Sequence, residues 1–155
     1  MTNESSYQNY LGTLQQPAGW FDFAVSIVTM IAQNAQQGED LDFLCEVGMK
    51  VAALNPLPEA KTLIDLTISM NTRLDAFKWG HVDIEDHGNC LILTHSFMPV
   101  VNNGYDKVWQ KGFVAMLNGL YHEWLKQAGS PSTLTLSLKD ITGPTTAVFC
   151  LRKNR

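Results

Sequence analysis

The chain has 155 residues, 45% of them apolar and 17% charged, with 15 acidic against 11 basic side chains and a formal net charge of −4. This length suits one domain, residues 1–155, able to bury about 70% of the surface its unfolded chain exposes. Grip on phosphates needs a basic stripe, and the bases cluster only at Arg152, Lys153 and Arg155, so nucleic acid is not expected as a partner.

Residues 1–18 are polar and form an N-terminal arm without a basic segment leading into an apolar one, so no secretory signal is expected. The longest apolar stretch, Phe23 to Ala32, is broken by Ser26 and Thr29 and falls short of the roughly 20 residues a membrane span needs. Cys45, Cys90 and Cys150 lack the paired spacing of a disulfide framework or a zinc site. They read as buried free thiols, which suits a reducing, cytoplasmic location.

Pro17 and Gly19 open a first helix from Trp20 to about Gln36, which Gly38 ends. Asp40 is placed to cap a second helix reaching about Leu54, and Pro58 stands at the first turn of a third. That third helix carries Leu63, Leu66, Met70, Leu74 and Phe77 at helical spacing, with Gly80 as its terminator. The period then becomes two. Val82 and Ile84 alternate with Asp83 and Glu85, a DHGN turn follows, and Leu91 and Leu93 return. A two-residue loop, either His87-Gly88 or Gly88-Asn89, puts all four apolar residues on one face. A fourth helix starts at a cap on Asp106 and stops at Gly129-Ser130-Pro131. A second hairpin closes the chain: Leu134, Leu136 and Leu138 alternate, TGPT turns, and Ala147 to Arg152 return. Three helices followed by strand-strand-helix-strand-strand make an α+β domain with helices on one face of an antiparallel sheet.

The sequence has no glycine-rich phosphate loop, GxSxG, HExxH or CxxC. Asp83, Glu85 and Asp86, close to His81 and His87, are the best acid-base candidates, since paired carboxylates serve glycoside hydrolysis. Strand parity, however, puts Asp83 and Glu85 on the wet side of the hairpin, where charge is expected anyway. Parity also sends His95 to the apolar face and His81 to the polar one, so the histidines do not converge as metal ligands, and His122 lies on the wet side of the fourth helix. No catalytic residue, metal or cofactor is expected.

Trp109, Phe113, Met116, Leu117, Leu120 and Trp124 share one face of the fourth helix and read as core. Tyr7 and Tyr10, in the polar arm, are candidates for contact with a ligand or a subunit. The first helix exceeds the needs of a monomer. Its apolar residues cover an arc of roughly 220°, which implies either a second subunit or a central place in its own domain. Gly112, Ala115 and Gly119 fall within roughly 60° of one another, a small-residue strip suited to close approach by a helix of a second subunit, or by a loop or the sheet of the same chain.

Several pieces, in order, resemble the D subunit of bacterial cellulose synthase: FLCEVG (43–48), PLPEAKTLIDL (56–66), Asn71, Trp79-Gly80, LILTH (91–95), Pro99, Trp109 and LNGLYHEWLKQAG (117–129). The collinear set runs from about residue 10 to 129, and the last hairpin matches in pattern. The resemblance implies a subunit with no catalysis of its own. It further implies a homo-octamer beside the inner-membrane synthase, with passages suited to β-1,4-glucan chains near its N-terminal segments.

Overall fold

The computed structural model describes Ser6 and residues 17–33, 39–101 and 106–153. Its elements are α1 (Trp20–Gln33), α2 (Glu39–Leu54), α3 (Leu63–Phe77), β1 (His81–Asp86), β2 (Cys90–Ser96), α4 (Lys107–Gln127), β3 (Leu134–Thr142) and β4 (Thr146–Lys153). The strands form one antiparallel sheet in the order β1-β2-β4-β3. The expected α+β arrangement is the one observed.

The first hairpin pairs Val82 with His95, Ile84 with Leu93 and Asp86 with Leu91. His87 donates its backbone N–H to the Cys90 carbonyl (2.9 Å), leaving Gly88-Asn89 as the two-residue loop. Gly88 takes φ 84°, and its N–H bonds to Asp86 Oδ1 (2.8 Å). Val82, Ile84, Leu91 and Leu93 therefore share the core face with His95, while His81, Asp83 and Glu85 face outward. In the second hairpin Leu136 is buried, but Leu138, on edge strand β3 just before the ladder shifts register between Leu138 and Asp140, is 42% exposed.

Helix α4 is the axis of the molecule. Asp106 caps it as expected, accepting from the N–H groups of Val108 (2.9 Å) and Trp109 (3.1 Å). Its face from Trp109 to Trp124 is buried. Two indoles tie it to flanking segments: Trp109 Nε1 donates to the Pro99 carbonyl (2.8 Å) and Trp124 Nε1 to that of Asn55 (3.0 Å). Helix α2 lies along α4, α3 packs against β1, and α1 lies at the periphery against α4. No described residue of α1 is fully buried, which removes the reading of α1 as a central helix.

Three helix boundaries differ from expectation. Asp40 lies inside the first turn of α2, which begins at Glu39. Pro58 lies in a connection, and the cap of α3 is Thr62, whose side chain accepts from Asp65 N (3.1 Å). Helix α3 ends at Lys78, in the left-handed region (φ 61°), rather than at Gly80. Gly80 serves another need. A Cβ there would lie 2.2 Å from the Ser96 carbonyl oxygen and 2.9 Å from His95 Nε2.

Edge strand β1 is held from outside the sheet. Asn71 of α3 accepts from Val82 N and donates to Val82 O, both at 2.8 Å, so one amide satisfies both backbone groups of an edge residue.

Candidate functional site

The polar candidates do not converge. His81 Nε2 meets Asp83 Oδ1 at 3.3 Å and His87 Nε2 meets Glu85 Oε2 at 3.0 Å, each an exposed pair two residues apart. Asp86 commits one oxygen to the hairpin turn. Among the described residues no group of three or more His, Cys, Asp or Glu side chains could hold a metal ion. Tyr7 and Tyr10 lie outside the described residues.

His95 is wholly buried, in a network that its sequence position did not reveal. The Trp79 carbonyl can only accept, so His95 Nε2 carries the proton and donates to it (2.8 Å). Nδ1 is then the acceptor for the Tyr121 hydroxyl, which is also fully buried. Desolvation lowers the His95 pKa to about 4, against the opposing effect of the Trp79 carbonyl, and pushes the Tyr121 pKa well up. A neutral imidazole thus links β2, α4 and the end of α3. It is sealed from solvent, so it positions these elements and offers no surface for chemistry.

The cysteines are free, but only Cys150 is fully buried; Cys45 and Cys90 are half-buried. Desolvation, then the charges of Asp42 and Glu46, raise the Cys45 thiol pKa, so its thiolate is disfavoured. Desolvation, then the neighbouring Cys150 thiol, raise that of Cys90.

The glycine strip on α4 is occupied from within. A Cβ on Gly119 would lie 1.7 Å from the Cys45 carbonyl oxygen, and one on Gly48 of α2 would lie 1.8 Å from the Met116 carbonyl oxygen. A Cβ on Gly112 would meet Val28 of α1 at 2.4 Å. Gly112 and Gly119 are buried and Ala115 half-buried. The close approach the strip calls for is made by α2 and α1 of the same chain, which corrects its reading as a seat for a second subunit.

The apolar excess of α1 is on the surface. Trp20 is 74% exposed, Phe23 58%, Ile27 43% and Met30 62%. Their intervals of three, four and three residues align them along one stripe. The rings of Trp20 and Phe23 meet edge to face, 6.1 Å apart. Exposed Phe43 and Val47 of α2 extend the patch. On one side, α1 and α2 border an apolar groove of about 310 Å³, lined by Trp20, Ala24 and Val28 against Val47 and Val51, with Trp109, Phe113 and Met116 of α4 among its walls. At the other end Met30, Ile31, Asp40 and Phe43 line a shallow hollow. Apolar patches of this extent on soluble proteins mark sites of interaction.

Fold and surface define a class: a small α+β protein that presents an exposed apolar helical face and, among its described residues, gathers no constellation of reactive groups. The family model for the D subunit of cellulose synthase matches residues 6–150, and the chain belongs to that family. It is thus an accessory subunit in cellulose biosynthesis, associated with the other subunits of the synthase. Comparison with curated proteins gives no match. No helix among the described residues is long and apolar enough to cross a membrane.

Proposed function

We propose that this chain is a non-catalytic subunit that assembles as an octamer on the cytoplasmic side of the inner-membrane synthase. There it helps to arrange parallel β-1,4-glucan chains for export as crystalline cellulose, a biofilm material. The observation that carries this reading is the family match over residues 6–150. The exposed apolar stripe of α1 supports self-association, because it exceeds what the fold of one chain consumes. Glucosyl transfer then belongs to the synthase, and this subunit needs no cofactor. Light scattering on the purified protein tests the assembly: eight times the 17.3 kDa chain mass is expected, and a monomer would overturn the reading.

A second reading is a scaffold that organises synthases through protein contacts and never touches glucan. The chemistry of the main groove favours it, since its lining is almost wholly apolar whereas a sugar ring needs hydrogen-bond partners for its hydroxyls. Titration with cello-oligosaccharides decides between the two. Binding at millimolar ligand supports glucan handling, and its absence supports the scaffold.

A further inference from the structure

The α1 stripe has a symmetry that no single chain uses. Trp20, Phe23, Ile27 and Met30 follow one another at intervals of three, four and three, an order that reads the same in both directions. An identical helix laid antiparallel therefore presents the same knobs at the same heights. Trp20 of one copy falls opposite Met30 of the other, and Phe23 opposite Ile27. A closed pair about a two-fold axis requires such a self-complementary patch, in which residue i meets j and j meets i.

We propose that α1 is the seat of a second copy of this chain, laid antiparallel across it about a two-fold axis level with Val25. This rests on the self-assembly read above and names the surface and orientation that begin it. Two further observations select this occupant. The first is the ground at the ends of the stripe. Trp20 of the second copy lands beside Met30, over the hollow formed with Ile31, Asp40 and Phe43. Asp40 also lines that hollow, and its carboxylate would supply the acceptor that the indole N–H needs once buried.

The second is area. The exposed fractions of Trp20, Phe23, Ile27, Met30, Phe43 and Val47 correspond to about 600 Å² per copy, taking about 200 Å² for each large side chain. Two copies then bury about 1,200 Å², the lower bound for a stable protein interface. Along the seam the contact is between apolar groups, and the one charge of α1, Asp22, lies about 120° round the helix from it.

The test uses the full chain. Phe23→Glu and Ile27→Glu put a charge into the seam at exposed positions, so circular dichroism should be unchanged while the particle mass falls at least twofold. Ile68→Glu, at a position 60% exposed on α3, should leave the mass unaltered. Orientation is read by mixing. An antiparallel pair sets Lys of Phe23→Lys against Glu of Ile27→Glu, so this mixture regains mass that neither variant shows alone. Recovery only when Phe23→Lys meets Phe23→Glu would mean a parallel pair and overturn the inference. Where a charged variant loses its fold, Phe23→Ser and Ile27→Ser carry the same test with the same expected fall in mass. A monomeric wild type sinks the oligomer reading and this inference together. An assembled wild type indifferent to these substitutions sinks this inference alone.

Discussion

Gly119→Ala sets two effects of opposite sign against each other. Alanine in a helix interior is favoured over glycine by about 1 kcal/mol, so local propensity alone makes the variant more stable. Packing says otherwise. The new Cβ would stand 1.7 Å from the Cys45 carbonyl oxygen, and ordinary contact begins at 3.4 Å, so α2 must retreat by about 1.7 Å along that line. Forcing extra volume into a close-packed contact costs about 1–3 kcal/mol. The retreat also loosens Leu44 and Ala52, which α2 buries, and forfeits dispersion contacts there. Packing should win, with a net loss of about 1 kcal/mol in urea unfolding followed by far-ultraviolet circular dichroism. Gly48→Ala, with its Cβ 1.8 Å from the Met116 carbonyl oxygen, should behave alike. The double variant should cost less than the two singles added, because one retreat relieves both clashes. A Gly119→Ala protein as stable as the wild type would refute the backbone contact between α2 and α4.

Other outcomes follow from single side chains. Unfolded His95 takes up a proton below its ordinary pKa of 6.5, while the folded imidazole waits until about pH 4, so the unfolded state binds more protons between those values. Stability should fall by up to about 3 kcal/mol as pH drops through that window, and His95→Gln should flatten this dependence; parallel pH profiles would contradict it. Asn71→Leu strips the Val82 N–H and carbonyl of their partner and should cost about 2 kcal/mol, read from the urea midpoint; an unmoved midpoint would show both groups satisfied elsewhere. Removing residues 1–12, with Tyr7 and Tyr10, should lower cellulose output while the isolated protein keeps its thermal midpoint; full output would rule the arm out.

The alternation of Val82, Ile84, Leu91 and Leu93 determined the first hairpin, because a one-residue slip would turn the whole set toward water. The apolar face of α4 and its Asp106 cap were equally legible, each being a local pattern. Pro58 misled. A proline fits the first turn of a helix, yet Thr62, three residues before Asp65, supplied the bond that starts α3. The end of α3 could not be read, since Lys78 rather than a glycine takes the left-handed conformation. The strip of Gly112, Ala115 and Gly119 announced a close approach without naming the partner. Spacing along one helix records that something comes near, and only the fold says that it is Cys45 and Val28 of the same chain. The His95–Tyr121 pair was hidden for the same reason, joining a strand to a helix 26 residues away. The surplus on α1 was visible as an apolar arc wider than one core requires, and the structure locates it on the outside.

A subunit that serves cellulose formation without catalysing it leaves glucosyl transfer intact when it is removed. The most direct test is incorporation of a labelled sugar nucleotide by membranes from a strain lacking this chain. The glucosyl-transfer rate per synthase should stay at the wild-type level while the cells produce less, or less ordered, cellulose. Loss of transfer in those membranes, restored by adding the purified protein, would contradict a non-catalytic role.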